Sequence, residues 1–116
     1  MEIDLKNEFV TDEKGTTYRV PCYRVVDGKG IEKTEDEMVI RFVRGSKLKD
    51  EDVDKREGTL HEHILSVLIE DMKYKNSLVP SRDGSIIIHH LEDAYLRMVN
   101  RQIDRIKRNV QGTYKQ

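Results

Sequence analysis

Four arginines near the end of the chain are spaced so that they share one side of a helix. Arg97, Arg101 and Arg105 lie four residues apart, and Arg108 follows three residues later, which is the spacing of neighbours on a helical surface. We call these four residues the arginine stripe. Two interpretations are open: a solvated face near a helix C-terminus, where the macrodipole favours cations, or an anion site, because guanidinium groups match phosphate oxygens.

A second arrangement suited to an anion begins at Ser81, in the segment "VPSRDGS". Ser81 is the predicted N-cap of a helix, and the amides that follow an N-cap point outward and bind phosphates readily. Arg82 adds a positive charge, and Gly84 allows a ligand or a neighbouring chain to approach closely. An ordinary helix cap with an exposed arginine explains the same residues.

The histidines occur as two close pairs, "HEH" at His61 and His63 and "HH" at His89 and His90. On a helix, residues one or two positions apart point in different directions, so neither pair can chelate one zinc ion as an i, i+4 pair does. A histidine site shared between subunits stays open as an alternative. No metal and no cofactor are expected.

Two further side chains have more than one interpretation. Tyr74, in "MKYKNS", can stack on a nucleotide base or pack against the next helix as a hinge aromatic. Cys22 lies in a strand-like region with no base beside it, which predicts a small buried hydrophobic residue.

The composition is that of one small, polar domain. The chain has 116 residues, 36% hydrophobic and 37% charged, which often means that a partner subunit completes the core. A single cysteine excludes an internal disulfide and fits a reducing compartment. With no membrane-spanning run and no signal-peptide pattern at the start, a cytosolic location is expected.

The charge is balanced overall and basic only locally. The net charge is -1, which argues against a general nucleic-acid binder. Residues 97–116 nevertheless carry six basic side chains and one acidic one.

The region from Ile3 to Arg44 predicts an antiparallel sheet of two to four strands. "TYRVPCYRVV" (Thr17–Val26) is rich in β-branched and aromatic residues, and "EMVIRFV" (Glu37–Val43) alternates. "DGKG" (Asp27–Gly30) supplies turn residues between them. Pro21 within the first run indicates an edge position or a bulge.

The second half predicts two helices. "TLHE" (Thr59–Glu62) matches a capping box, and apolar residues recur at helical spacing from about Leu60 to Lys75. Pro80 ends this helix. After Ser81 a second apolar pattern continues to about residue 108. Helices joined so closely must pack antiparallel.

The predicted fold class is therefore α+β, with a small N-terminal antiparallel sheet and a C-terminal two-helix hairpin, in an oligomer. The predicted domains are residues 1–58, which include a charged, solvated connection at Gly45–Gly58, and residues 59–116.

These hairpin segments resemble two phage families, the Thoeris anti-defence sponges and the anti-CBASS cyclic-oligonucleotide sponges. "LHEHILSVLIEDMKYKNS" is similar to their first helix, "VPSRDGSIIIHHLEDA" to the Cys-Arg-Glu-Asn entrance of the second, and "NRQIDRIKRNVQGTYK" to the arginine-rich ending. The similarity covers about Thr59 to Lys115. A sheet before the hairpin, with "VIRFVRG" similar to its last strand, favours the Thoeris type over the all-helical type.

The resemblance implies a protein that sequesters cyclic ADP-ribose isomers, and in some members cyclic trinucleotides, without degrading them. It implies a dimer or a trimer of dimers. By position, Tyr74 replaces a phenylalanine that stacks on adenine, Arg101 matches an arginine that grips phosphates, and Arg82 matches the arginine of a trinucleotide pocket. Arg41 or Arg44 of the sheet is implied as a further phosphate contact.

Three positions depart from the family pattern and concern ligand preference. Gly84 stands where asparagine is usual, Gln102 where threonine is usual and Asn109 where glycine is usual. Taken together, the predicted ligand-binding residues are Tyr74, Ser81, Arg82, Gly84, Arg101, Arg105, Arg41 and Arg44.

Three functions from different classes follow. The first is a cytoplasmic, homo-oligomeric binding protein that captures a cyclic nucleotide in an infected bacterium, with no nucleic-acid or membrane partner. The second is a phosphodiesterase in which the histidines, His61, His63, His89 or His90, act as acid and base. The third is a dimeric regulator whose arginine stripe contacts DNA or an acidic protein.

Overall fold

The computed structural model describes residues 8–45 and 55–110. These residues form two compact units, a sheet unit ending at Thr59 and a helical unit from Leu60 onward. The predicted α+β arrangement is confirmed: a three-stranded antiparallel sheet is followed by two helices. The start of the predicted strand region at Ile3, most of the predicted charged connection and the end of the family-like C-terminal segment lie outside the described residues.

The sheet has the strand order β1-β2-β3, in which β1 is Val10–Glu13, β2 is Thr17–Val26 and β3 is Gly30–Arg41. Both neighbouring pairs are antiparallel. The predicted turn between β2 and β3 is present, and Gly28 and Gly30 adopt φ angles of 79° and 90° there. Glycine enters this left-handed region without the steric cost of a Cβ atom.

A β-bulge interrupts the pairing of β2 with β3 between Pro21 and Tyr23. The sequence predicted an edge position or a bulge at Pro21, and the bulge is confirmed. Cys22 lies within it, and the Cys22 carbonyl accepts a hydrogen bond of 3.0 Å from the Thr34 hydroxyl. Cys22 is half-buried, so the predicted burial of this residue is only partial. A bulge breaks the strict alternation that would otherwise place a strand residue on one face.

Four polar residues form contacts between the β1–β2 turn and the segment that follows β3. We call them the Glu13 cluster: Glu13, Thr16, Arg44 and Arg56. Thr16 is 1% exposed, and its hydroxyl donates to Glu13 Oε1 at 2.5 Å. Arg56 donates to both carboxylate oxygens, at 3.0 and 3.1 Å, and Arg44 lies 3.5 Å from Oε2. The cluster attaches the segment returning toward the helices to the β1–β2 turn.

Backbone hydrogen bonds of Thr59 explain where the first helix begins. The Thr59 amide donates to the Arg41 carbonyl at 2.8 Å, and the Thr59 carbonyl accepts from the Val43 amide at 3.0 Å. Helix α1 is His61–Leu78, with Leu60 at the N-cap and no side-chain capping bond. The predicted capping box at Thr59 is therefore wrong, because pairing with the sheet holds this residue out of the helix.

The connection between the helices is short and bonded. Helix α1 ends at Leu78, three residues later than predicted, and its last bond joins the Val79 amide to the Lys75 carbonyl. Helix α2 is Arg82–Val110. The predicted N-cap is confirmed, since the Ser81 hydroxyl accepts a bond of 2.9 Å from the amide three residues ahead.

Two contacts fix the direction of the helix pair. Lys73 Nζ lies 2.8 Å from Glu92 Oε2, and Asn76 Nδ2 donates to Ser85 Oγ at 3.4 Å. Because the partner number falls along α2 as the residue number rises along α1, the helices are antiparallel, as predicted.

The helical unit buries little apolar surface. Ile69, at 8% exposure, is the buried hydrophobic residue among those described. Half-buried residues of α2 recur three or four apart along the side toward α1: Gly84, Ile88, Leu91, Tyr95, Met98 and Gln102. Glu92, Ala94 and Val99 beside them are also half-buried. Many other apolar side chains of the helices are exposed by a third or more.

Candidate functional site

Two members of the arginine stripe, Arg101 and Arg105, are exposed and have no acidic partner among the described residues. By contrast, Arg97 lies 3.6 Å from the Asp93 carboxylate. Four residues of helix advance roughly 6 Å at 1.5 Å per residue, so the unpaired guanidinium groups stand one turn apart. These two guanidinium groups repel each other. An anion with two charged oxygens within reach of both would offset that repulsion.

Two lysines of α1 are neutralised by acidic partners, whereas Arg82 and Lys107 of α2 have no acidic partner among the described residues. Lys73 bonds to Glu92, which raises the pKa of the Lys73 ammonium group, and Lys75 pairs with Asp71 at 2.9 Å. The lack of an acidic partner therefore distinguishes Arg101 and Arg105 from these two lysines.

At the start of α2, the space beside Gly84 is filled by the Asn76 side chain, where the sequence predicted room for a ligand. The Ser81 amide donates to Asn76 Oδ1 at 3.1 Å, and a Cβ atom built at Gly84 would collide with the same oxygen and lie 3.0 Å from Ser81 Oγ. Glycine at this position thus admits a side chain from the end of α1. The Gly84 amide is bonded to Ser81, and Asp83 adds a negative charge in the same turn.

Arg82 and Tyr74 both lie on the accessible surface of the hairpin end. Arg82 is exposed, and Tyr74 is 62% exposed, so its ring is not packed as a hinge against α2. The Tyr74 carbonyl accepts a bond of 2.6 Å from Ser77 Oγ. Most of the Tyr74 surface is thus accessible.

One hairpin does not bring Tyr74 and Arg101 together. Tyr74 adjoins Lys73, which pairs with Glu92, and Arg101 is nine residues further along α2. Nine residues of helix span roughly 13 Å at 1.5 Å per residue. The predicted stacking residue and the predicted phosphate residue therefore lie at different heights along the helix pair.

The two sheet arginines differ in their surroundings. Arg41 is exposed, and Arg44 is half-buried within the Glu13 cluster. Hydrogen bonds from Thr16 and then Arg56 hold the pKa of Glu13 below its ordinary value of 4.5. The carboxylate is therefore charged at neutral pH and holds the Arg44 guanidinium by attraction. Sequence reasoning missed this cluster, because no local pattern links residues 13 and 56.

The histidines do not converge on a metal site in the described part of the chain. The His89 and His90 rings meet edge to face with centroids 6.3 Å apart, and both residues are exposed. No group of three or more potential ligands is found among the described residues.

A shallow depression of about 740 Å³ lies on the sheet unit and contains none of the predicted site residues. Its cationic members already have acidic neighbours: Lys33 bonds to Glu8, and Arg24 lies 3.8 Å from Glu32. The remaining lining residues are Thr34, Glu35 and Asp36. Sequence reasoning did not single out this depression.

Neither described helix is long and apolar enough to cross a membrane. The chain matches no model of a known protein family, and no curated protein matches it. The functional argument therefore depends on the residues themselves and on the resemblance set out above.

Proposed function

We propose that this protein is an anti-defence sponge of a phage, which binds a cyclic ADP-ribose isomer in the cytoplasm of the infected bacterium and does not cleave it. Sequestering the signal blocks Thoeris immunity. The observation that carries the proposal is the unpaired state of Arg101 and Arg105, which leaves two exposed guanidinium groups one turn apart on the same side of α2.

Capture of a nucleotide needs hydrogen bonds to its phosphates and stacking on its base, and arginine and tyrosine side chains supply both. A charge-assisted bond from an arginine to a phosphate contributes about 1.5–3 kcal/mol. Stacking of a base on the Tyr74 ring contributes about 1–3 kcal/mol. A sponge has to hold the signal more tightly than its receptor does, and several such contacts in a sheltered pocket meet that need without a nucleophile or a general base.

The proposal includes a homo-oligomer, as a dimer or a trimer of dimers. Because Tyr74 and Arg101 are separated by roughly 13 Å along one hairpin at 1.5 Å per residue, contact of both with one small ligand requires a second copy. The low burial of apolar residues in the helical unit supports the same requirement.

The start of α2 belongs to the proposal as a second pocket, for cyclic di- or trinucleotides. Arg82 supplies its charge, and Ser81 and Gly84 shape the backbone. The Asn76 amide beside Gly84 is bonded to Ser81 and Ser85, so the polar contact of the family's asparagine two residues after the arginine is missing from the proposed pocket. Arg41 and Arg44 are proposed as phosphate contacts from the sheet.

The test is capture and release. The purified full chain is incubated with a panel of cyclic ADP-ribose isomers and cyclic di- and trinucleotides, the free ligand is measured, and the complex is then denatured by heat. The proposal expects depletion of at least one cyclic ADP-ribose isomer and its recovery unchanged. Linear products would contradict it in favour of a phosphodiesterase, and no depletion of any ligand would contradict nucleotide capture.

A further inference from the structure

The contact between Lys73 and Glu92 shows which residues of the two helices lie at the same height. Lys73 Nζ is 2.8 Å from Glu92 Oε2, and both helices rise by about 1.5 Å per residue in opposite directions. His61, twelve residues before Lys73, is therefore level with the position twelve residues after Glu92. That position lies between Arg101 and Arg105.

Lys73 and Glu92 also mark one of the two edges along which the helices meet. Each stands four residues after a residue on the side toward the other helix, Ile69 in α1 and Ile88 in α2. A step of four residues turns about 40° past a full turn of helix. Because the two side chains meet, a forward displacement from the facing side leads to the same edge of the pair on both helices.

The two unpaired arginines lie on the opposite edge. Arg101 and Arg105 each stand three residues after a half-buried residue on the side toward α1, Met98 and Gln102. A step of three residues stops about 60° short of a full turn. The arginines are therefore displaced backward from the facing side, in the opposite sense to Glu92.

His61 lies on the same edge as the arginines, but on the other helix. It stands four residues before Leu65, which is half-buried on the side toward α2, so it is displaced backward by about 40°. His61, Arg101 and Arg105 are all exposed. Packed helix axes are separated by about 8–10 Å, so side chains of this length on facing edges can contact one small anion together. We call these three residues the cationic edge.

The surroundings of the cationic edge suit a phosphate that carries an apolar group. Of the acidic residues described at this height, Glu62 is turned about 100° forward from His61, and Asp104 is two positions past a facing residue, about 200° around α2. Both carboxylates thus point away from the edge. Ile64 and Leu68, three and seven residues after His61, are 39% and 44% exposed and supply apolar contact beside it.

We propose that His61 is a third ligand-binding residue of the arginine site, with an imidazole that donates a hydrogen bond to the phosphate or diphosphate group bound by Arg101 and Arg105. This inference rests on the proposed function, which does not use His61. His61 also takes part in an interaction within the chain, and an imidazole can bond to two groups at once through its two ring nitrogens. Ile64 and Leu68 then contact the nucleoside that carries the phosphate.

The first test observes the imidazole directly. The histidine ring signals of the full chain are assigned by NMR and followed during a titration with inorganic pyrophosphate, a probe that contains only the proposed anion. The His61 signals are expected to shift in the wild type and to shift much less in Arg101→Ala. His63, two residues later and about 200° around α1, is the internal control. Unmoved His61 signals, equal shifts of both rings, or shifts unchanged in Arg101→Ala would each overturn the proposal.

The second test measures the affinity for a cyclic ADP-ribose isomer that the capture assay depletes. His61→Gln is expected to raise the dissociation constant roughly tenfold, since it removes one charge-assisted contact, and His61→Lys should recover most of that loss because it restores a positive donor. The matched control, His63→Gln, should bind like the wild type. Equal affinity of His61→Gln and wild type, or an equal loss in the control, would overturn the role of His61.

Failure of this inference and failure of the proposed function give different results. If no nucleotide is captured while pyrophosphate still moves the His61 signals in a manner that depends on Arg101, the anion site stands and the sponge is refuted. If nucleotides are captured and His61 neither shifts nor affects affinity, the sponge stands and His61 is not part of its site. Far-UV circular dichroism checks that the variants keep their helices, and the wild-type titration does not depend on any variant for the shift of His61 itself.

Discussion

The glycine at the start of α2 has two explanations: it makes room for a ligand, or it makes room for the Asn76 side chain. Adding a methyl group at Gly84 distinguishes them. A Cβ atom there would collide with Asn76 Oδ1, the atom that accepts the Ser81 amide. The substitution Gly84→Ala must therefore displace Asn76 or strain the helix start.

The magnitudes predict a net loss of stability. Losing the hydrogen bond costs about 0.5–1.5 kcal/mol, and overpacking adds about 1–3 kcal/mol. The better helix propensity of alanine offsets about 0.5–1 kcal/mol. Gly84→Ala is thus expected to lower the free energy of unfolding by about 0.5–4 kcal/mol.

The decisive comparison repeats the substitution in an Asn76→Ala background. With the obstructing amide removed, the approach to 3.0 Å from Ser81 Oγ is the close contact that remains, so Gly84→Ala should be less destabilising there than in the wild type by about 1 kcal/mol or more. Urea unfolding of the four proteins at one fixed chain concentration measures both effects. An effect of the same sign and size in both backgrounds would refute the packing explanation, and weaker ligand capture with unchanged stability would favour ligand approach at Gly84.

Three further predictions concern the sheet unit and the binding residues. Glu13→Gln should lower the free energy of unfolding at pH 7, because the carboxylate holds Arg56 and the Thr16 hydroxyl. Since the pKa of Glu13 is lowered from 4.5, this contribution is present above pH 4.5 and is lost as the pH falls through the lower folded value; a difference from wild type that persists in strong acid would contradict it. Tyr74→Ala should weaken nucleotide capture more than Tyr74→Phe in equilibrium binding, and equal losses would indicate a bond to the hydroxyl. Arg105→Ala should weaken capture roughly tenfold or more, and unchanged affinity would remove Arg105 from the site.

The order of the strands and helices could be predicted from local sequence patterns. Alternation and turn glycines indicated the sheet, Pro21 indicated the bulge, and Pro80 followed by Ser81 indicated the break and the cap between the helices. Each of these features is set by residues close in sequence.

The errors arose where distant residues compete with local preference. Thr59 has the sequence of a helix cap, yet its backbone pairs with Arg41 and Val43 of the sheet, and two backbone bonds outweigh one capping bond. The space beside Gly84 is filled by a residue eight positions earlier. The Glu13 cluster joins residues 43 positions apart, a separation that no periodicity expresses.

The candidate site was predictable only in part, for a similar reason. Helical spacing placed the arginine stripe on one side of α2, but it could not show that Arg97 has an acidic partner and Arg101 has none. The separation of Tyr74 from Arg101 follows from the register of the two helices, which the contact between Lys73 and Glu92 sets.

The most direct test of the central claim is the affinity of the Arg101→Ala variant for a cyclic ADP-ribose isomer, measured by calorimetry beside the wild type. Loss of one charge-assisted phosphate contact predicts a dissociation constant roughly 10- to 150-fold higher, with fold and assembly unchanged. The matched control is Arg97→Ala, one turn earlier on the same side of α2, whose guanidinium already faces Asp93 and whose loss should leave the affinity close to that of the wild type. Equal affinity of wild type and Arg101→Ala, or an equal loss in the control, would contradict the claim that Arg101 grips the phosphate of a captured nucleotide.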